Sequence, residues 1–144
     1  MELRHSSWSD AYADTAALLD AYGAAWVQID EPKFRFSIRQ DLAPTGEGLY
    51  YVRLHGRNAA QWWEPEASED RYNYHYSAQE LAPFAEAVAA TRGRVKKAYL
   101  MLNNHFAAQA VANAVQLRQH LGDPVTEPLP PDLVARFPEL APTP

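Results

Sequence analysis

An α/β fold of the (β/α) TIM-barrel type, built on four parallel strands, is what this 144-residue sequence predicts. Two observations carry that expectation. Strand-like and helix-like stretches alternate along the chain, the order expected of parallel strands joined by crossover helices. Each strand-like stretch also has one aliphatic side and one side that turns polar toward its C-terminal end. Side chains alternate along a strand with a period of two. Leu3, Val27 with Ile29, Val52 with Leu54, and Leu100 with Leu102 make the aliphatic set. The opposite set is Glu2 and Arg4; Trp26, Gln28 and Asp30; Tyr51, Arg53 and His55; Tyr99, Met101 and Asn103. A doubly wound sheet is covered on both faces and its strands are apolar throughout. A barrel packs one face on helices and opens the polar strand tops of the other into a site.

The elements follow in order. Met1 to His5 is a first strand, and Ser6 to Asp10 supplies turn and cap chemistry with Ser9 as the helix N-cap. Tyr12, Thr15, Leu18, Leu19 and Tyr22 recur at helical spacing up to Gly23, and Trp26–Asp30 is the second strand, closed by Pro32. Residues 31–49 lack periodicity and read as a long loop, a feature that often carries function. Tyr50 to His55 is the third strand. Ser77-Ala-Gln-Glu80 is a capping box opening a helix striped with Leu81, Phe84, Ala85 and Val88. Lys97–Asn103 is the fourth strand, running directly into a helix with Ala107, Ala110, Val111, Ala114, Leu117 and Leu121 on its apolar face. Residues 1–122 thus make one domain. The Pro-rich tail, 123–144, is expected to be a surface strap or partly disordered, with a short turn at Asp132–Arg136.

Composition bounds the function. Formal charge is -5 and the pI near 5.5, which argues against a nucleic-acid partner held by a basic surface. With no cysteine there is no disulfide framework, thiolate nucleophile or thiolate metal site. The start has no apolar signal region and no stretch approaches a membrane span, so a soluble, cytoplasmic protein is expected.

Arg53 and His55 are the anomaly around which a site is drawn, because an unpartnered charge on an inward strand face is costly. Two readings stand side by side. In one, Arg53 pairs with Glu2 or Asp30 in an internal ion-pair lattice. In the other, Arg53 and Arg4 bind an anionic group, a planar guanidinium fork suiting phosphate or carboxylate. His55, with Glu2 or Asp30, would then transfer protons. Glu2, Asp30 and His55 could also hold a divalent metal, although no compact ligand motif is present; the cofactor is otherwise unknown. Asn103 points inward and would orient substrate; Asn104 joins it as a binding residue or caps the next helix, with His105 in the first turn. Trp8, Trp62, Trp63, Tyr72, Tyr74 and Tyr76 belong to loops overhanging the mouth. Trp8 and Tyr74 are the stacking candidates, while packing suits Trp62 or Trp63. No Gly-rich phosphate cradle, nucleophile elbow or dinucleotide fingerprint is present.

Four segments together resemble the YecE-like family (domain of unknown function DUF72), a TIM-barrel family of bacteria and archaea. They are Glu2–Trp8, Asp30-Glu-Pro32, Tyr51–Asn58 and Tyr99–His105, supported by Arg71–Ser77 and Ala110–Arg118. The resemblance covers residues 1 to about 122 and implies strands five to eight of the barrel. The family's opening strand, with its Gly-Trp and Tyr-Pro elements, has no counterpart here, and the family brings no settled activity. A half-barrel leaves two open edges. Self-association, or a missing N-terminal half-barrel, is therefore expected. The leading functional expectation is a hydrolase or lyase-like enzyme domain acting on a small anionic or phosphorylated substrate. The alternatives are a non-catalytic nucleotide or nucleic-acid binding module and an inactive half-barrel fragment.

Overall fold

The structure, a computed structural model, describes residues 1–141. Three strands form one parallel sheet in the order β1 (Gln28–Asp30), β2 (Leu49–Leu54), β3 (Lys97–Leu102). Helices α1 (Ser6–Asp10) and α2 (Tyr12–Ala21) precede the sheet. Helix α3 (Ala78–Ala90) joins β2 to β3, and α4 (Gln109–His120) follows β3. Tyr50, Val52 and Leu54 of β2 are buried against Leu81, Phe84 and Ala85 of α3 and Leu117 of α4, which makes the main core. The capping box forms as expected: the Ser77 hydroxyl accepts from the Glu80 amide, and the Glu80 carboxylate accepts from the Ser77 amide at 2.9 Å. Among the described residues, no helix is long and apolar enough to cross a membrane.

The first expected strand, Met1 to His5, does not form. Met1 lies beside the residues leading into β1, and its carbonyl accepts from Val27 N at 2.8 Å. One residue pair further on, a side chain takes the place of a strand. The Gln40 amide donates to Val27 O at 2.8 Å and accepts from Ile29 N at 2.9 Å. Those are the two backbone groups that a neighbouring parallel residue would have bonded. Residues 4–6 turn instead toward the loop, where Arg4 O accepts from Ile38 N and His5 bridges Ser37 in antiparallel sense.

The shared parity also fails at β1. In the observed register Gln28 pairs with Val52 and Asp30 with Leu54, so both polar residues lie on the helix-covered side. Ile29 faces the way Arg53 does and is buried in a cluster with Trp26, Ile38 and Leu19. β1 is covered on both sides, and each side can therefore take an apolar or a fully bonded polar residue. Between β2 and β3 the expected faces do agree, with Arg53 beside Met101.

Four further differences have local causes. Ser9 caps no helix start: His5 caps α1, and Ser9 Oγ donates to Ser6 O and accepts from Arg39 N. The helix after β3 does not run straight on, because Ala107 and Ala108 take left-handed backbone angles and α4 begins only at Gln109. Its buried side is also rotated from the expected stripe. Ala112, Asn113, Val115, Gln116 and Leu117 are buried while Val111 is 54% exposed. The polar pair is accommodated by hydrogen bonds, with Asn113 Nδ2 donating to Tyr76 O and to Gln116 Oε1. Helix α5 (Pro131–Arg136) replaces the expected turn, with Pro131 at its start where a missing N–H costs nothing. Leu133, Phe137 and Leu140 then bury against Ala112 and Val115 of α4, so the tail is a packed strap up to residue 141. Its last three positions lie outside the described residues.

Replacing Gln40 by Ala strands a donor and an acceptor on the β1 edge. Leaving such groups unpaired costs about 1–3 kcal/mol. Gln40→Ala is expected to lower the unfolding free energy by that amount, read as a lower urea midpoint at unchanged slope, and an unaltered midpoint would show the edge to be satisfied by water.

Candidate functional site

Strand β2 and the start of the chain build one cluster on the side of the sheet away from α3 and α4. Glu2 lies at its centre. Its carboxylate accepts from Arg53 Nη1 at 2.6 Å and from Arg4 Nε at 2.9 Å. Arg4 reaches further, donating to Glu31 at 3.2 Å and to His55 Nε2 at 3.0 Å. Arg53 donates from Nε and Nη2 to Asn103 Oδ1 at 3.2 and 3.0 Å, which ties β2 to the residue after β3. Two guanidiniums, two carboxylates, an imidazole and an amide therefore converge.

The electrostatics follow from that packing. A guanidinium only donates, so His55 Nε2 must accept and the ring's proton sits on Nδ1. That Nδ1 is buried without a hydrogen-bond partner. Burial, then the positive charges of Arg4 and Arg53, hold the His55 pKa down at about 4, so the ring is neutral near pH 7. Burial alone would raise the Glu2 carboxyl, but hydrogen bonds from Arg53 and Arg4 hold it below its ordinary value. Glu31, more deeply buried, is raised by desolvation despite Arg4.

Asp30 belongs to a separate cluster on the helix-covered side. Arg57 grips its carboxylate with Nε and Nη2 at 2.8 and 2.9 Å, and the Tyr76 hydroxyl donates to it at 2.7 Å. Arg57 also pairs with Glu80 at 3.1 Å, and Glu80 accepts from Tyr74 Oη at 2.5 Å. Gly56 N donates back to the Tyr76 hydroxyl at 2.9 Å. Gly56 holds a φ of +89°, and a Cβ there would sit 2.8 Å from the Tyr74 Cβ. Only glycine lets the chain leave β2 so close to that ring.

Of the expected site residues, His55, Glu2, Arg4, Arg53 and Asn103 are brought together. Asp30 is not, because its carboxylate is committed to Arg57 and Tyr76. Glu2, Asp30 and His55 consequently do not assemble as a metal-ligand set, and among the described residues no group of three or more acidic or histidine side chains does. Asn104 is fully buried, its Nδ2 donating to Tyr74 O and Asn113 Oδ1 at 2.8 Å each, so it ties the loop before α3 to α4 and caps no helix. Tyr74 is used on Glu80. Trp8 is 39% exposed on the α1–α2 surface, bordering a cavity with Ala11, Asp14 and Leu18. Three participants were not singled out from the sequence: Glu31, Arg57 and Gln40. Glu31 directly follows Asp30, and a β1 register shifted by one residue would have pointed to it.

The lowered His55 pKa has a sign that can be measured. An imidazole ordinarily near 6.5 and held at about 4 in the fold takes up a proton on unfolding between those values. Its contribution to stability is fully present above about pH 6.5 and is lost as pH falls through about 4. Proton-detected titration of the ring should find it neutral down to the lower value. A midpoint near 6.5 would contradict its burial between two arginines.

Comparison with known proteins places this arrangement. A family model described as "Protein of unknown function DUF72" matches residues 1–135. The UPF0759 protein YunF of Bacillus subtilis (strain 168) is 29% identical over 128 residues, which is 84% of this chain and 45% of that protein. A DUF72 family protein of Thermotoga maritima MSB8 is similar in structure with a TM-score of 0.73 at 37% identity, over 83% of this chain and 44% of that one. A DUF72 family protein of Enterococcus faecalis V583 gives a TM-score of 0.76 at 29% identity, over 90% and 50% of the two chains. The chain spans about half the length of these relatives. The sequence resemblance and the fold agree with the family model: this chain belongs to the DUF72 family.

Proposed function

We propose that the chain supplies half of the wall of a (β/α) barrel enzyme, hydrolase or lyase-like, that acts on a small anionic or phosphorylated substrate. The observation that carries this reading is the convergence of Arg4, Arg53, Glu2 and neutral His55 on one side of a parallel sheet. Each guanidinium has five N–H donors and spends three on protein, which leaves two per arginine for an anion. An anion drawing Arg4 away would free the Nε2 lone pair of His55, already deprotonated near pH 7, to accept a proton. Glu2, 3.8 Å from that nitrogen, would hold the resulting imidazolium.

A second reading rests on charge balance. Glu2 and Glu31 offset Arg4 and Arg53 while His55 is neutral, so the cluster is self-satisfied, as a non-catalytic nucleotide-binding or purely structural lattice would be. Turnover assays on phosphomonoesters and small carboxylates separate the two. His55→Ala and Arg53→Ala are expected to lower turnover by about 10²–10⁴-fold with the circular dichroism spectrum unchanged. Ligand binding that survives His55→Ala without turnover of any substrate would favour the binding module.

The same reading assigns a partner to the open face. Tyr99 and Met101 of β3 are 38% and 46% exposed, and among the described residues β3 has no strand neighbour on its outer edge. An exposed edge beside large apolar groups invites pairing. A second copy, or a further half-barrel in a longer protein, would cover it. Sedimentation velocity at micromolar concentration is expected to show self-association of this 144-residue chain; a strictly monomeric boundary would rule out the second copy.

A further inference from the structure

Next to the His55 cluster lies a cleft of about 180 Å³ bordered by Arg4, Glu31, Phe34, Phe36, Trp62 and Trp63. Its aromatic walls are held in place yet open to solvent. Phe34 lies 5.9 Å from Phe36 and 5.5 Å from Trp63, and the latter two are 5.8 Å apart between ring centroids. Phe36 is 47% and Trp63 60% exposed. Trp62 is buried and sits edge-on to His55 at 6.3 Å, so one wall of the cleft borders the candidate site. Three mutually touching aromatic rings left partly wet beside a charged cluster form an apolar patch of the kind that marks binding.

The size and polarity of the cleft narrow its occupant. Pockets for drug-sized ligands run to roughly 300–1,000 Å³, whereas an apolar cavity of about 150 Å³ takes one benzene. A single six-membered ring fits within that volume. A sugar ring would also stack, but its hydroxyls need partners. Arg4 and Glu31 are bonded to each other, and Ser37 Oγ already accepts from Phe34 N at 3.0 Å. A flat apolar ring makes no such demand. What remains free is hydrogen-bond donation from a cation, since Arg4 borders the cleft and spends three of its five N–H groups on Glu2, Glu31 and His55. Glu31 does not oppose an anion strongly, being buried with its charge compensated by Arg4.

We propose that this cleft takes the single aromatic ring of an anionic ligand, an aryl phosphate or aryl carboxylate whose charge is held by Arg4 at the cleft's border. The proposal rests on the anion-binding reading above and adds the ring.

Calorimetric titration of the intact chain with phenyl phosphate, inorganic phosphate and phenol tests both parts, with tryptophan fluorescence as a second readout. Phenyl phosphate is expected to bind at least about tenfold more tightly than either of the others, since aromatic stacking and ring burial add to the charge contact. Trp63→Ala and, independently, Phe36→Ala should remove about that factor while leaving inorganic phosphate unchanged. Both residues are exposed enough for the fold to survive. Phenyl phosphate binding no tighter than inorganic phosphate, or unaffected by both variants, would overturn the ring site and leave the anion reading standing. Phenyl phosphate binding no tighter than phenol, with inorganic phosphate not bound, would overturn the anion reading and the aryl-anion class with it.

Discussion

The grip of Arg57 on Asp30 is the interaction on which the rest of the structure depends. A carboxylate on the helix-covered side of a sheet is tolerable only when each of its oxygens is bonded. Two guanidinium nitrogens and the Tyr76 hydroxyl supply those bonds. Burial beside Asp30 raises the Tyr76 pKa, which keeps that phenol a donor. The same group joins β1 to the loop after β2 and to the first turn of α3 through Glu80. It therefore sets the register of β1, and that register decides which way every side chain of β1 points.

From that register comes the separation of two charged clusters. Asp30, Arg57, Tyr76, Glu80 and Tyr74 are bonded to one another on the helix-covered side, with Asp30 and Tyr76 buried and Arg57 partly exposed. Glu2, Arg4, Glu31, Arg53, His55 and Asn103 lie on the other side, where Arg4 and Arg53 stay partly exposed. What sets the Glu2 cluster apart is a neutral imidazole and an adjoining aromatic cleft. The relatives that this chain matches are about twice as long as it is.

Much of this was legible in the residues. The capping box at Ser77 and the β2 and β3 faces, with Arg53 and His55 on one side, follow from capping and period-two patterns, which are local. The placement of Asp30 was not legible. A three-residue strand covered on both sides carries no amphipathic signal, so parity alone cannot orient it. Gln40 was equally hidden, because a side-chain amide standing in for a strand leaves no periodic trace in a loop. The rotated burial of α4 has the same origin. Asn113 and Gln116 look like surface residues until Tyr76 O and their own mutual bond satisfy them.

The sequence by itself determined an α/β chain of parallel strands, its family, and the residue types of a charged cluster, since local periodicity and motif spacing survive without any knowledge of contacts. Only the tertiary structure decided which charges meet. Pairing depends on register and on long-range partners such as Glu2 with Arg53, 51 positions apart, and Asp30 with Tyr76, 46 apart. Those distances in the chain are bridged by packing, and packing gave Glu2 and not Asp30 to His55.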